Sequence, residues 1–268
     1  MWSTGSPETG EALRRIEAAL PDVKCLGLAA TAPRIDLLFP CPLSDAQRLA
    51  AAALRSGLEI CEPHAMLIGE PGNRPVLEAC SVDYAGLEAL RRENLQGWIA
   101  SAGALVVCPK ARMIAFQHRS PGSRTYPDAV HLFSGAHQPG DADLAATALR
   151  ELEEEAGIPV RLQRSPPMLL CAELPTRYFQ LVLAGVEIDP DRFGSMRPNR
   201  EGAGIFRVGF DALGEFLRRP PVPWVPSGLA VVLAWLALGA PGSGENPEFS
   251  GRSPQELFEA WWAVAGPA

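Results

Sequence analysis

Four glutamates fall within nine residues of this chain, at positions 150–158. Three of them, Glu151, Glu154 and Glu155, have the i, i+3, i+4 spacing that places side chains on one side of a helix. At about 100° per residue they span an arc of about 100°. Because like charges at this spacing destabilise a bare helix, we expect a positive group among them. A hard divalent cation, which prefers oxygen ligands, is the obvious candidate.

The residues around the glutamates predict a helix with defined ends. Asp141 or Asp143 is placed to cap its start. Gly157 can adopt the left-handed conformation that ends a helix, and Pro159 prevents its continuation. The face that would pack on a core consists of Ala145, Ala148, Leu149, Leu152 and Ala156.

A glutamate-rich segment is also typical of a solvated helix face. Two neighbouring residues help to distinguish a metal-binding face from a solvated one. Glu153 points away from the other three glutamates and is expected to be solvated. Arg150 lies one turn before Glu154, where it can hold that carboxylate in place.

Composition indicates an ordinary globular protein. The chain has 268 residues, 47% of them hydrophobic, and a net charge of −7. This acidic balance argues against general nucleic-acid binding, although a bound metal would still admit a phosphate substrate.

The six cysteines form no C-x-x-C pair, so we expect no zinc ribbon and a reducing, cytoplasmic location. The longest apolar run, 229–240, is too short to span a bilayer, and the first residues do not resemble a signal peptide.

Element patterns divide the chain near residue 95. Residues 1–95 are predicted to form a small α+β domain, in which His64 has no catalytic spacing and a structural role is expected. Residues 96–240 predict a mixed sheet between helices, and residues 241–268 a linker and a final helix. The predicted strands are 23–29, 34–39, 58–68, 75–80, 102–108, 112–118, 168–174, 178–186 and 204–208. The predicted helices outside the glutamate segment are 8–20, 45–55, 83–92, 213–218, 227–238 and 253–265.

The order Arg-Glu-apolar-any-Glu-Glu-any-Gly-apolar at 150–158 resembles the second half of the Nudix box. The first half departs from it, because Ala136 and Ala142 occupy the usual Gly and Glu positions. Gly135 and Asp141 each lie one residue too early. The resemblance implies a Nudix α/β/α sandwich with a mixed sheet, here with the small N-terminal α+β domain added.

Two Nudix subfamilies are similar to parts of the chain. The segment 147–151, Thr-Ala-Leu-Arg-Glu, resembles the coenzyme A pyrophosphatase type. The N-terminal extension, Tyr84 after a strand pair, Arg119-Ser120, and the segment 201–206 resemble UDP-glucose and UDP-galactose pyrophosphatases.

The resemblance also implies roles for individual residues. Glu151, Glu154 and Glu155 would bind Mg²⁺ or Mn²⁺, with Arg150 as a further catalytic residue. Glu201 is the preferred general base outside the box, and Glu173 is the runner-up. The residues expected to contact substrate are Arg119, Tyr126, Gly135 and Ala136.

The implied activity is metal-dependent hydrolysis of a diphosphate bond in a nucleoside diphosphate joined to another group. UDP-sugar, ADP-ribose and coenzyme A are the expected substrates, in that order. A Nudix domain that senses a nucleotide without cleaving it, and an RNA decapping hydrolase, remain as alternatives. Many Nudix enzymes are homodimers, so a homodimer is a further expectation, and no membrane partner is expected.

Overall fold

The computed structural model of the chain describes residues 2–3, 6–55, 63–71, 74–92, 97–162, 164–200, 202–245 and 247–265. The strands there are β1 (Trp2–Ser3), β2 (Val23–Ala29), β3 (Arg34–Pro40), β4 (Pro63–Leu67), β5 (Val76–Asp83), β6 (Trp98–Cys108), β7 (Met113–Arg119), β8 (Val130–His131), β9 (Phe133–Ala136), β10 (Met168–Glu173), β11 (Tyr178–Glu187) and β12 (Gly202–Gly209). The helices are α1 (Pro7–Ala19), α2 (Asp45–Arg55), α3 (Tyr84–Arg92), α4 (Leu144–Ala156), α5 (Pro190–Ser195), α6 (Phe210–Arg218), α7 (Pro226–Ala237) and α8 (Pro254–Ala265).

The fully buried strand β6 organises the sheet. Its apolar sequence suits a strand that is covered on both faces. It runs parallel to β11 and antiparallel to β4, β7 and β9, so it has different partners along its length. The short pairing with β9 joins Ser101 to Ala136 and Ala104 to Phe133. This pairing brings the strand that precedes the glutamate helix into the centre of the molecule.

Helices cover the sheet on both faces, each over its own hydrophobic core. One core contains α1, α7 and α8 side chains such as Ile16, Trp235 and Phe258. The other holds the apolar face of α4, including Ala148 and Leu152. The expected mixed sheet between helices is therefore confirmed.

Strands from the first 95 residues belong to the same sheet as the later strands. Strand β2 pairs with β10, and β4 pairs with β6, where Met66 lies opposite Ile99. The sheet thus runs in the order β1-β2-β10-β11-β6-β4-β5-β3, with β9 and β7 also bonded to β6. The domain boundary at residue 95 stays a prediction, and the strands on its two sides are hydrogen-bonded to one another.

The C-terminal segment packs on the body of the protein. Trp261 is buried in the core under α7, and the guanidinium of Arg15 lies 4.6 Å from the centroid of the Trp262 ring. The same arginine forms an ion pair with Glu259 at 2.7 Å. Both tryptophans of α8 therefore pack on the protein itself. Of the helices in the described ranges, none is long and apolar enough to cross a membrane.

Several details differ from the predictions, among them the bounds of β5, β6, β12 and α6. Strand β7 begins at Met113, because Arg112 adopts a left-handed φ of 53° in the hairpin turn. Helix α5 was not predicted, and its six residues are too few to show a helical period. Cys41, the residue after β3, and Cys80 of β5 form a disulfide, so the expectation of reduced cysteines is wrong for this pair.

Candidate functional site

A cavity of about 490 Å³ opens where the glutamate helix, strand β9 and the loop after β7 meet. This volume lies within the usual range for small-molecule sites. Its wall includes Gln117, Arg119, Tyr126, Ser134, Gly135 and Glu155. The cavity therefore brings together six residues from four separate segments, and four of the six were predicted from sequence.

The charges on the cavity wall favour an anionic ligand. Among the described residues that line it, the charged side chains are Arg91, Arg119, Arg124, Arg200, Glu155 and Glu173. Four arginines face two glutamates, so this wall is positive although the chain as a whole carries −7. A diphosphate is the kind of group that several arginines bind.

Two histidines in the wall are neutral at pH 7. Burial, and then the nearby Arg91, lower the pKa of His64 to about 4. Burial, and then Arg119, lower the pKa of His131 to about 3. Neither ring therefore adds to the positive charge of the cavity. Strand periodicity does not distinguish such a histidine from a core residue, so His131 was missed in the sequence.

Helix α4 has the predicted ends. The side chain of Asp143 accepts a hydrogen bond from the Ala146 amide at 2.8 Å, so Asp143 rather than Asp141 is the cap. At the other end Gly157 adopts φ 71°, and its amide donates to the Glu153 carbonyl at 2.9 Å. Glu151, Glu154 and Glu155 thus lie on a helix that is held at both ends.

Arg150 supplies positive charge among the acidic side chains. Its Nη1 donates to Glu151 Oε1 at 2.7 Å and to Glu154 Oε2 at 3.0 Å. Its Nη2 donates to Asp141 Oδ2 at 3.0 Å and to the Ala136 carbonyl at 2.9 Å. The predicted contact with Glu154 is therefore present, and the arginine also connects the helix to the preceding loop.

Asp141 has a different position from the one implied by the box. Burial by itself would raise the pKa of Asp141, but hydrogen bonds from Arg150, the Gln138 amide and Thr147 lower it below its usual value. The charged carboxylate thereby fixes the guanidinium of Arg150 from the side opposite to the helix carboxylates. Sequence alignment with the box only showed that Asp141 lies one residue too early.

Glu155 is the most deeply buried of the three box glutamates. Its side chain is 3% exposed, yet it lines the cavity. Gln117 Nε2 donates to its Oε1 at 2.6 Å, and the Ser134 amide donates to its Oε2 at 2.6 Å. Two donors on a buried carboxylate fix its direction. Gln117 was missed in the sequence because a single polar residue in a strand does not indicate its partner.

Glu151 rests against the backbone of Gly135. A Cβ added at Gly135 would lie 2.3 Å from Glu151 Oε2 and 2.4 Å from its Oε1. The Ser134 amide donates to Glu155, and the neighbouring Gly135 contacts Glu151. The two carboxylates therefore lie against consecutive residues of β9. The glycine that lies one position early for the box therefore has a defined steric role.

We expect Gly135→Ala to lower activity more than stability. The new methyl group would displace the Glu151 carboxylate, and a shift of about 1 Å at a reacting site can cost about a hundredfold in rate. Activity and thermal unfolding of the purified variant test this. Gly194→Ala is the matched control, since a Cβ there meets nothing within 4 Å. Full activity of Gly135→Ala would show that the position of Glu151 is unimportant.

The glutamates offer the oxygen donors that Mg²⁺ and Mn²⁺ prefer. Within the part of the chain that the structure describes, no group of three His, Cys, Asp or Glu side chains is already assembled around one metal position. Glu154 is 51% exposed and is held by Arg150, whereas Glu151 and Glu155 are buried around β9. The absence of a side chain at Gly135 leaves room for the Glu151 carboxylate itself, which lies directly against the glycine backbone. The donor chemistry thus fits a hard divalent cation.

The predicted substrate residues lie in the cavity wall. Arg119 donates from Nε to the Thr125 carbonyl at 3.2 Å and so shapes the loop that carries Tyr126. Burial, and then the hydrogen-bonded neighbour Glu173, raise the pKa of Tyr126. Gly135 and Ala136 also line the cavity. All four positions are therefore adjacent to the same space.

Of the two predicted general bases, the structure describes Glu173 but not Glu201. Glu173 lines the cavity but accepts hydrogen bonds from Ser227 at 2.6 Å, from Thr176 and from Tyr126. These hydroxyl donors occupy its lone pairs, so the carboxylate holds the cavity wall together. Glu201 lies outside the described residues.

Comparisons with known proteins agree with the site. The model of the NUDIX domain matches residues 98–180, which include the glutamate helix. No curated protein matches the chain significantly.

Solved structures similar to the chain are distant. A MutT protein from Methanosarcina mazei Go1 is 21% identical, with a TM-score of 0.38, over 49% of this chain and 90% of its own. DR0079 from Deinococcus radiodurans is 16% identical, with a TM-score of 0.41, over 63% and 96%. A bifunctional NMN adenylyltransferase/ADP ribose pyrophosphatase from Francisella tularensis, complexed with AMP and Mn ion, is 14% identical, with a TM-score of 0.44, over 56% and 44%. At these values they add no support for a particular substrate.

The box helix, its buried glutamates and the matched domain model all identify the same segment. Residues 98–180 of the chain are therefore identified as a NUDIX domain by their match to the family model.

Proposed function

We propose that this protein is a metal-dependent pyrophosphohydrolase, which cleaves the diphosphate bond of a nucleoside diphosphate joined to another group. The observation that carries the proposal is the buried carboxylate of Glu155, fixed by Gln117 and Ser134 at the wall of an arginine-rich cavity. A negative group held so firmly beside positive ones suits a site that binds a cation and a phosphate together.

Glu151, Glu154 and Glu155 would hold the metal ions. When bound, Mg²⁺ or Mn²⁺ offsets the charge that develops on the phosphate oxygens during attack by water. Arg150 keeps Glu151 and Glu154 in position through its hydrogen bonds at 2.7 and 3.0 Å. It acts on the reaction through these carboxylates, so it is a positioning residue in this mechanism.

The arginines of the cavity would bind the diphosphate itself. Arg119, Arg124 and Arg200 line the same space as Glu155 and can donate to phosphate oxygens. Glu201 remains our candidate for the base that takes a proton from water, because Glu173 is already held by three hydroxyl groups.

UDP-sugar is the first substrate that we propose, followed by ADP-ribose and coenzyme A. The cavity wall contains Tyr84, Tyr126 and Tyr178, and aromatic rings of this kind can stack on a nucleobase. Its volume of about 490 Å³ also accommodates more than a diphosphate alone.

The experiment is a panel of UDP-glucose, ADP-ribose, NADH and coenzyme A, with Mg²⁺ or Mn²⁺, scored by product mass. Release of UMP supports the UDP-sugar assignment, AMP from ADP-ribose supports the second, and 3′,5′-ADP supports coenzyme A. Addition of a chelator should abolish each activity. Failure to hydrolyse any member under either metal would contradict the proposal.

A nucleotide-sensing domain is the second candidate. Two observations favour this function. Arg150 already forms ion pairs with Glu151 and Glu154, and the described residues contain no preassembled group of three metal ligands. Tight binding of a panel member without any turnover would select this function.

A further inference from the structure

Part of the cavity wall comes from segments that precede the matched domain. His64 lies on β4, and Tyr84 and Arg91 lie at the two ends of α3. The antiparallel pairing of β4 with the start of β6 places these residues beside the Nudix sheet. The first 95 residues therefore contribute to the site as well as to the sheet.

Two buried polar atoms in this part of the wall have no hydrogen-bond partner in the described ranges. They are His64 Nδ1 and Arg91 Nη2. The other terminal nitrogen of Arg91 donates to Glu88 at 2.7 Å, which leaves Nη2 available. An unsatisfied buried polar group is costly, and in a cavity wall a ligand can satisfy it.

Aromatic rings surround these two atoms. The rings of His64 and Tyr84 meet edge to face at 5.9 Å. Arg91 lies 5.5 Å from the centroid of Tyr178, and Arg124 lies 5.1 Å from that of Tyr84. Flat surfaces beside a few polar atoms are typical of sites that bind a planar ring.

The two unpartnered atoms differ in chemistry. A guanidinium can only donate hydrogen bonds, whereas the neutral imidazole of His64 can accept one. An ionised phosphate offers acceptors alone, so it would satisfy Arg91 Nη2 but would satisfy His64 Nδ1 only in the tautomer that carries the proton there. A nucleobase offers an acceptor next to an N–H donor on its Watson–Crick edge, so it satisfies both atoms.

We propose that His64 and Arg91 form a nucleobase-recognition subsite, in which Arg91 donates to a ring acceptor and His64 accepts from the adjacent N–H. This inference rests on the proposed function for the diphosphate part of the ligand. It assigns a specificity role to the N-terminal segment and gives His64 a function beyond the structural role expected from the sequence.

The test compares the binding of UMP, AMP and ribose 5-phosphate by isothermal titration calorimetry. Wild-type protein should bind at least one of the two nucleotides more tightly than the base-free sugar phosphate. Arg91→Met should weaken that nucleotide by about ten- to a hundredfold, and His64→Phe by about fivefold, with ribose 5-phosphate unchanged. Arg92→Met, an exposed neighbour at the end of the same helix, is the control and should bind as wild type.

Thermal unfolding of each variant separates loss of binding from loss of fold, and the two substitutions serve as independent tests. Equal weakening of nucleotide and ribose 5-phosphate would assign Arg91 to the phosphate and overturn the inference. Unchanged nucleotide binding in both folded variants, or no preference for a base in wild type, would also overturn it. Base-dependent binding without hydrolysis of any panel member would contradict the proposed activity and leave the subsite supported.

Discussion

Replacing Glu155 by Gln is expected to lower kcat by about a hundredfold or more while the fold remains intact. The amide keeps the size of the side chain but removes the charge that would hold the metal, which contributes several kcal/mol to the rate. Glu155 also accepts hydrogen bonds from Gln117 and the Ser134 amide, which fix its carboxylate at the cavity wall. Steady-state kinetics on the best substrate of the panel measure this effect.

The same helix provides a matched control for this substitution. Glu153 is exposed and points away from Glu151, Glu154 and Glu155, so Glu153→Gln makes the same chemical change outside the site. We expect its kcat to equal that of the wild type. Activity in Glu155→Gln close to that of Glu153→Gln would reject the catalytic assignment.

Arg150→Met is expected to lower both stability and activity. The substitution leaves the mostly buried carboxylates of Asp141 and Glu151 without their counter-charge. Removing one partner of a buried ion pair costs about 3–5 kcal/mol in the free energy of unfolding. Chemical denaturation of the variant and the wild type measures this difference.

Arg219→Met is the control for the loss of an arginine on the surface. Its side chain is 84% exposed and pairs only with Glu215 among its described ion-pair contacts, so little stability should be lost. Equal stability of Arg150→Met and Arg219→Met would mean that the Arg150 network does not support the site.

Local signals predicted the glutamate helix well. The cap at Asp143, the left-handed Gly157 and the apolar face of α4 all depend on residues within a few positions of one another. Arg150 and Glu154 are one helical turn apart, so their contact was also predictable from the local sequence. The Nudix fold was recognised from this segment alone.

The contacts that direct the helix toward the cavity were not predictable in this way. Gln117 and Ser134 reach Glu155 across 38 and 21 residues, and nothing in a strand pattern indicates such partners. The steric contact between Gly135 and Glu151 likewise depends on how β9 lies against α4. A positive group was expected among the glutamates, and Arg150 supplies part of that charge through its hydrogen bonds to Glu151 and Glu154. The sequence pattern alone does not distinguish this arginine from a metal ion.

The role of the N-terminal segment also depended on tertiary pairing. Helices and strands before residue 95 were largely predicted, but the pairing of β4 with β6 involves residues more than 30 positions apart. That pairing places His64 in the cavity wall. A lone histidine in an apolar strand is usually structural, so nothing in the sequence indicated that His64 lies beside this cavity.

Binding of Mn²⁺, followed by electron paramagnetic resonance, tests the central claim most directly. Wild type and Glu153→Gln should bind the ion with equal affinity, and Glu155→Gln should bind it at least about tenfold more weakly. Indistinguishable Mn²⁺ affinity in all three proteins would contradict a metal site built on Glu155.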